Sequence, residues 1–170
     1  MKIAILSDSH SKVALTKEAI DFLKKCGAQY LVHAGDFGCE ETLQLLQDSQ
    51  LPYVCVFGNN DYNLVEVAHK YNIHKEPYNF KIKDNTFTLM HMPYYMSSQA
   101  DIVLFGHTHI FEHEYKNKTL FLNPGEICAR EKPLSECVLL EINENEYIIN
   151  YYSKSIDSNE YERKEVKYEK

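Results

Sequence analysis

The chain has 170 residues, enough to bury a hydrophobic core, and its length predicts one domain over residues 1–170. With 44% hydrophobic and 25% charged residues, it has the composition of an ordinary water-soluble globular protein. The formal net charge of −7 argues against a general nucleic-acid binder and against a protein of anionic membranes, because both surfaces are themselves negative.

Features of the sequence that report on location point to the cytoplasm. The apolar runs have the length of strands, and the first residue leads directly into one, so we expect neither a signal peptide nor a membrane span. The five cysteines are odd in number and form no C-x-x-C pair. That pattern favours reduced thiols over a disulfide framework or a zinc knuckle. We therefore predict a cytoplasmic protein.

The first part of the chain alternates apolar runs with segments of helical period. The predicted strands cover residues 2–7, 30–34 and 53–57, and the predicted helices cover residues 11–26 and 40–46. Gly27 is the expected C-cap of the first helix. Short connections between alternating strands and helices predict a parallel, right-handed βαβαβ unit. In such sheets ligands bind beyond the carboxyl ends of the strands.

The rest of the chain changes to paired strands. The predicted elements are a short helix over residues 64–71, a hairpin over 80–90, a connection over 93–100, a buried strand over 102–105, and hairpins over 111–122 and 137–152. Tyr94 and Tyr95, in the connection, are candidates for lining a substrate cleft, although such residues more often pack with an exposed hydroxyl. Residues 154–170 are polar, and we expect a frayed tail or one that packs at a sheet edge.

The stretch after the buried strand 102–105 carries the most informative pattern. Gly106 ends the strand and allows a sharp turn, and His107 and His109 follow with one residue between them. In extended backbone, side chains two positions apart point the same way, so both imidazoles can reach one space. Two neutral imidazoles there would suit a divalent transition metal. The alternative is a surface loop that happens to carry two histidines.

Other predicted strand ends carry groups that bind metal or form hydrogen bonds. They are Asp8 and His10, Asp36, Asn59 and Asp61, His91, and Asn123. Oxygen and imidazole ligands without thiolate favour Mn, Fe, Zn or Ni over an iron–sulfur cluster. These groups are too many for one ion. Two ions about 3.5–4 Å apart with a bridging carboxylate would use them all, and such a pair can hold the attacking and leaving oxygens of a phosphoryl transfer.

The ordered motifs resemble those of the calcineurin-like metallophosphoesterase superfamily. The matching segments are Asp8-Ser9-His10, Gly35-Asp36, Gly58-Asn59-Asn60-Asp61, His91 and Gly106-His107-Thr108-His109. The chain length and the segment Asn123-Pro124-Gly125 narrow the resemblance to the small YfcE-like phosphodiesterases, over the chain to about Tyr152. The resemblance implies an α/β sandwich of four αββα layers, with two mixed β-sheets packed face to face and flanked by helices. It also implies a binuclear metal centre that hydrolyses a phosphodiester by a metal-activated water.

Carried over position by position, the resemblance implies two sets of ligands for two divalent ions. The first ion would be held by Asp8, His10 and His109, and the second by Asn59, His91 and His107. Asp36 would bridge the two ions. The catalytic residues would be Asp36, Asn59, Asp61 and His91. Mn²⁺ is the first choice of ion, with Ni²⁺, Fe²⁺ or Zn²⁺ as alternatives.

Four further residues each have two interpretations. Asp61 either orients a ligand or loop without touching metal, or caps a turn. Asn123 either hydrogen-bonds near the site or belongs to an ordinary Asn-Pro-Gly turn. Arg130 either meets a substrate phosphate or is a solvated surface arginine. His33, three residues before Asp36, is expected to be a buried, hydrogen-bonded histidine or to support a ligand.

Two positions depart from the family pattern. Many relatives carry a histidine after the asparagine of the G-N-x-D motif, whereas this chain has Asn60, whose amide cannot act as a general acid. We therefore expect slow turnover, a preference for leaving groups of low pKa, or protonation by water or another residue. Met92 replaces the usual glycine after His91, and fifteen residues separate His91 from His107, so one wall of the cleft is expected to be low.

The resemblance leaves three functions open. The leading one is a metal-dependent phosphodiesterase that hydrolyses a small phosphoester. The second is a phosphomonoesterase acting on a nucleotide or a small phosphorylated metabolite. The third is a binding scaffold like the subunit of eukaryotic retromer that shares this fold, which predicts missing ligands and an exposed apolar patch. We expect no stable nucleic-acid complex and no membrane partner, and the sequence leaves a homo-oligomer open.

Overall fold

The computed structural model of the chain describes residues 1–94, 96, 99–158 and 160–170. The predicted connection over 93–100 is therefore described only in part, and Tyr95 lies outside the described residues. The first elements are β1 (Lys2–Leu6), α1 (Val13–Lys25), β2 (Tyr30–His33), α2 (Glu40–Asp48) and β3 (Tyr53–Val56). β1 pairs in parallel with β2, and β2 pairs in parallel with β3. The predicted βαβαβ unit is confirmed.

After β3, the described residues form two short turns and nine further strands. Two 3₁₀ turns, Tyr62–Leu64 and Ala68–Lys70, stand where the pattern predicts a short helix. Val65 and Val67 lie in this segment, and β-branched residues lower helix propensity. The strands are β4 (Ile73–His74), β5 (Tyr78–Ile82), β6 (Asn85–Leu89), β7 (Ile102–Leu104), β8 (Phe111–Lys116), β9 (Thr119–Pro124), β10 (Leu134–Ile142), β11 (Glu146–Ser155) and β12 (Glu162–Glu169).

The strands form two mixed sheets. The seven-stranded sheet has the order β12-β11-β10-β1-β2-β3-β4, and the five-stranded sheet has the order β5-β6-β7-β9-β8. A core of buried apolar side chains lies between them, with Ile3, Ile5 and Val32 from one sheet and Leu104 and Leu122 from the other. The next residues along β1, Ala4 and Leu6, face the opposite side. β1 is thus buried on both faces, as its continuous apolar run predicts.

The outer faces of the two sheets differ. Side chains of α1 and α2, including Leu23 and Leu46, pack on the outer face of the seven-stranded sheet. On the outer face of the five-stranded sheet, Met90, Val103 and Phe105 form a smaller apolar cluster. Both α-helices that the described residues form belong to the seven-stranded side. Among the same residues, no helix is long and apolar enough to cross a membrane.

The polar C-terminal segment is an ordered edge strand. β12 pairs antiparallel with β11 over eight residue pairs, from Glu146 opposite Glu169 to Ser153 opposite Glu162. Val166 and Tyr168 contribute to the core from this strand, while its other side chains are mostly exposed. The sequence predicts either a frayed tail or one that packs at a sheet edge, and residues 162–169 pack at the edge.

Candidate metal centre

Each sheet contributes three neighbouring parallel strands to the site. β1, β2 and β3 are parallel in one sheet, and β6, β7 and β9 are parallel in the other. The predicted site residues follow the carboxyl ends of the first five of these strands, and Asn123 lies within the last residues of β9. Five of the site residues have left-handed backbone: Asp8 (φ 55°), His10 (42°), Asp36 (60°), His107 (68°) and His109 (60°). Such conformations cost about 1–3 kcal/mol each and concentrate at functional sites, where the surrounding structure holds them.

Asp36 lies between two groups of predicted ligands. Its Oδ2 atom is 3.5 Å from His10 Nε2 and 3.4 Å from His91 Nε2. Asn60 donates to both carboxylate oxygens, from its backbone N–H at 2.9 Å and from Nδ2 at 2.7 Å. Burial alone would raise the pKa of Asp36, but hydrogen bonds from His91 and Asn60 hold that pKa well below its usual range. Asp36 is therefore ionised at neutral pH.

On one side of Asp36 lie Asp8, His10 and His109. His10 Nε2 is 3.3 Å from His109 Nε2, which is 3.2 Å from Asp8 Oδ1. Asp8 is fully buried, and no described residue makes a hydrogen bond of good geometry to its Oδ1 atom. Its Oδ2 atom accepts bonds from the Ser7 hydroxyl at 2.6 Å and the His107 backbone N–H at 3.1 Å. A buried carboxylate oxygen without a donor is costly unless a cation contacts it.

The electrostatics of this group favour positive charge. Asp8 foremost, with Cys128 and Glu126, raises the pKa of His109 to about 11. Burial lowers the pKa of His10, against the pull of the Asp36 and Asp8 carboxylates. A divalent cation bound to these side chains would contact Asp8 Oδ1, which has no hydrogen-bond donor among the described residues, and would neutralise the negative charge of the carboxylates. The residues therefore fit a metal ion.

On the other side of Asp36 lie Asn59, His91 and His107. His91 is fully buried, and its Nδ1 atom donates to the Ala34 carbonyl at 2.8 Å, which leaves the lone pair on Nε2 in the neutral imidazole. That Nε2 atom is 3.0 Å from Asn59 Oδ1. The His107 ring meets the His91 ring edge-on, with ring centroids 5.1 Å apart. Nitrogen and oxygen acceptors that converge in this way also suit a cation.

Distance alone groups the ligands differently from the predicted sets. Ligand atoms within 4.8 Å of one another come from Asp8, Asp36 and His91 in one cluster, and from His10, His109 and Cys128 in the other. Six residues thus form two compact clusters, and five of them are predicted ligands. Cys128 is buried and was expected only as a packed thiol.

Asp61 holds two loops of the site by their backbone. Its fully buried carboxylate accepts the N–H groups of Asp36 at 2.9 Å, Gly38 at 2.9 Å and Gly58 at 2.8 Å. A Cβ atom at Gly58 would collide with the Asp36 side chain, so the motif requires glycine there. Asp61 therefore joins the loop that carries Asp36 to the loop that carries Asn59.

Asn123 holds the loop that carries the two histidines. Its Nδ2 atom donates to the Gly106 carbonyl and to Thr108 Oγ1, both at 3.0 Å. Its Oδ1 atom accepts the Gly125 N–H at 3.0 Å, so the Asn-Pro-Gly segment is also a turn. Both interpretations of Asn123 therefore apply: its amide nitrogen hydrogen-bonds near the site, and its amide oxygen belongs to the turn.

His33 is buried beneath the site, as expected. Its Nδ1 atom accepts the Gly35 N–H at 3.2 Å, and its Nε2 atom contacts Ser9 Oγ at 2.8 Å. Its ring stacks on Phe37, with centroids 4.0 Å apart. Burial lowers the pKa of His33 to about 3, so the imidazole is neutral at physiological pH.

An open cleft of about 340 Å³ gives access to these side chains. Arg130, whose side chain is 63% exposed, lines it together with His10, Asp36 and His107. Tyr94 is also exposed, but it is not among the described residues that line the cleft. A larger cavity of about 500 Å³ lies along β5 and β6, and none of the predicted ligands lines it. The smaller cleft is therefore the candidate site, because predicted ligands line it and do not line the larger cavity.

Sequence reasoning missed Glu126. This buried glutamate follows the Asn-Pro-Gly turn, and its Oε2 atom is 2.6 Å from His109 Nδ1. The only signal available was a charged residue directly before the apolar pair Ile127 and Cys128. A single glutamate in that setting does not reveal its partner, since the contact to His109 arises from the pairing of β8 with β9.

Comparison with known proteins assigns the family. A model of the calcineurin-like phosphoesterase superfamily domain matches residues 1–145. A phosphodiesterase from Methanocaldococcus jannaschii is 25% identical over 160 residues, which cover 86% of this chain and 96% of that protein.

Solved structures with the same fold include two proteins of different kinds. A single mutant of Vps29 from Entamoeba histolytica has a TM-score of 0.76 at 22% identity, covering 99% of each chain. The phosphoesterase Yfce from E. coli has a TM-score of 0.70 at 19% identity, covering 88% of this chain and 91% of that one. The chain therefore belongs to the calcineurin-like phosphoesterase superfamily, and these likenesses agree with the predicted place among its small YfcE-like members.

Proposed function

We propose that the chain is a metal-dependent phosphodiesterase that hydrolyses a small phosphoester in the cleft beside Asp36. One observation carries the proposal: all seven predicted ligands are present, and Asp36 Oδ2 lies within 3.5 Å of imidazoles from both predicted sets. The curated relative from Methanocaldococcus jannaschii is named a phosphodiesterase, which supports a diester as the substrate class.

In this proposal the predicted ligand residues would hold two divalent ions, with Asp36 contributing to both sites. The proposed ligands are Asp8, His10 and His109 for one ion and Asn59, His91 and His107 for the other, with Asp36 shared. Mixed oxygen and imidazole donors support Mn²⁺ first, with Ni²⁺, Fe²⁺ or Zn²⁺ as alternatives. When bound, such ions lower the pKa of a coordinated water and neutralise charge on the phosphoryl oxygens.

The remaining side chains of the cleft orient the ligands and the substrate. Asn60 keeps Asp36 in place through two hydrogen bonds, at 2.9 and 2.7 Å. Arg130 offers a guanidinium at the mouth of the cleft, and guanidinium binds phosphate oxygens in a bidentate manner. Asn60 cannot protonate a leaving group, so the proposal favours esters whose leaving groups depart without an acid.

A binding scaffold is the second candidate. The Vps29 likeness and the missing acid at Asn60 favour it. The exposed side chains of Tyr94 and Met96, 72% and 42% accessible, would belong to such a surface. The complete set of proposed ligands favours the enzyme, because a scaffold has no need to retain them.

The experiment compares hydrolysis of an aryl phosphodiester and an aryl phosphomonoester by the purified protein with Mn²⁺. We expect Mn²⁺-dependent turnover that is faster on the diester, and its loss in Asp36→Asn and His91→Ala. Asp21→Asn and His69→Ala are matched controls, since Asp21 pairs with Lys17, His69 is exposed, and neither side chain lines the cleft. Faster turnover of the monoester would favour the phosphomonoesterase. No turnover with both ions bound would overturn the enzyme proposal in favour of the scaffold.

A further inference from the structure

Glu126 is a buried carboxylate that the proposed ligand set does not use. Its side chain is inaccessible to solvent, and protein donors hydrogen-bond to both of its oxygens. Oε2 accepts from His109 Nδ1 at 2.6 Å and from Cys128 Sγ at 3.1 Å. Oε1 accepts the backbone N–H groups of Glu131 at 2.8 Å and Lys132 at 3.0 Å. Both oxygens are therefore fully engaged.

Oε2 determines which nitrogen of His109 carries the proton. An ionised carboxylate only accepts hydrogen bonds, so the proton of the neutral imidazole must be on Nδ1. In the neutral, metal-binding form of His109 the lone pair would then be on Nε2, the atom that lies 3.2 Å from Asp8 Oδ1 and 3.3 Å from His10 Nε2. A carboxylate on the far nitrogen also makes an imidazole a more basic ligand.

Oε1 holds the segment that carries Arg130. The two N–H groups that it accepts belong to the residues directly after Arg130. Glu136, a second buried carboxylate, also holds this segment, but through contacts that do not involve His109. Its Oε2 atom accepts the Glu126 N–H at 3.3 Å and contacts Lys132 Nζ at 2.6 Å. Of these two carboxylates, Glu126 is the one hydrogen-bonded to His109.

We propose that Glu126 is a positioning residue that sets the tautomer of His109 for metal binding and holds the Arg130 segment beside the cleft with the same carboxylate. The inference rests on the proposed metal centre. Its first readout is Mn²⁺ affinity rather than turnover, so it can fail separately from the proposed phosphodiesterase activity.

Glu126→Gln tests the tautomer while keeping the size of the side chain. The two backbone N–H groups need its amide oxygen, so the amide NH₂ faces His109 Nδ1, which must then accept a hydrogen bond. The proton moves to Nε2, which loses its lone pair. We expect one of the two Mn²⁺ ions to bind about 10–100-fold more weakly by calorimetry and metal counting. In ¹⁵N spectra of the Zn²⁺-loaded protein, Nδ1 of His109 should be protonated in the wild type and not in the variant.

Glu136→Gln is the matched control, because it loosens the same segment without touching His109. We expect it to bind both Mn²⁺ ions with wild-type affinity. Glu126→Asp, which restores an acceptor of the same charge, should recover part of the lost affinity. Equal weakening by Glu136→Gln, or wild-type Mn²⁺ affinity in Glu126→Gln, would overturn the inference alone. A wild-type protein that binds Mn²⁺ but hydrolyses no ester would overturn the proposed phosphodiesterase and leave this inference standing.

Discussion

Asp61 accepts the backbone N–H of Asp36 at 2.9 Å, so the proposed bridging carboxylate is oriented through its own main chain. The same buried carboxylate accepts the N–H groups of Gly38 and Gly58. Burial raises the pKa of Asp61, against the effect of these three bonds. An acceptor with two oxygens is needed here, because three donors converge on it.

Asp61→Asn should weaken both folding and metal binding. The amide NH₂ would face a backbone donor, and a buried unsatisfied donor costs about 1–3 kcal/mol, so the free energy of unfolding in urea should fall by about that amount. Mn²⁺ affinity should fall as well, because the backbone of Asp36 is no longer held. Asp101→Asn is the control. Asp101 accepts hydrogen bonds from the Thr86 N–H at 2.7 Å and the Thr86 hydroxyl at 2.6 Å, and it does not line the cleft. If Asp61→Asn lost stability but kept full Mn²⁺ affinity, Asp61 would be only a turn cap.

His107 and His109 should each support a different ion. His109 Nε2 lies 3.2 Å from Asp8 Oδ1, whereas the His107 ring packs against His91. His107→Ala and His109→Ala should therefore each lower Mn²⁺ content toward one ion per chain, measured by metal counting. Adding Asp8→Asn to His109→Ala should remove little more, while adding His91→Ala should remove the second ion. Equal loss of both ions in each single variant would mean that the sites fill only together.

The sequence could reveal the proposed ligands because each follows an apolar strand whose type and order were readable. It could not reveal their geometry. The argument that His107 and His109 point the same way assumes extended backbone, but their φ angles are 68° and 60°. Packing of the tail at a sheet edge was one of two expectations, but the regular strand β12 was not predicted, because only Val166 and Tyr168 reach the core from it, which is too few for a clear alternation. Glu126 was missed because its partners depend on how distant strands pair.

Asn60→His should change which leaving groups are accepted. An imidazole at this position supplies the general acid that the amide lacks, and such acids contribute about 10²–10⁴-fold. We expect the rate on an alkyl diester to rise relative to an aryl diester by about 10²-fold or more. Asn60→Ala is the control, because it removes the 2.7 Å bond from Nδ2 to Asp36 without adding an acid, and it should slow both substrates alike. A His variant with an unchanged alkyl-to-aryl ratio would show that leaving-group protonation is not limiting.

His33 should make the folded state sensitive to acid. Its pKa is about 3 in the folded protein and about 6.5 in an exposed histidine. Between these values the unfolded chain binds one more proton than the folded one. The stabilisation from this residue is therefore complete above pH 6.5 and is lost as the pH falls toward 3, at about 1.4 kcal/mol per pH unit.

His33→Gln should remove this part of the acid sensitivity. Glutamine can still accept the Gly35 N–H and donate to Ser9 Oγ, the two bonds that the imidazole makes. Urea unfolding between pH 4 and 6.5, in buffer with a chelator, should give a shallower dependence of stability on pH in the variant, by about 1.4 kcal/mol per unit. The carboxylates and the other histidines titrate in both proteins, so the difference between the two slopes isolates His33. Identical slopes would mean that His33 takes up its proton without unfolding, and the buried imidazole would then have access to water in the folded state.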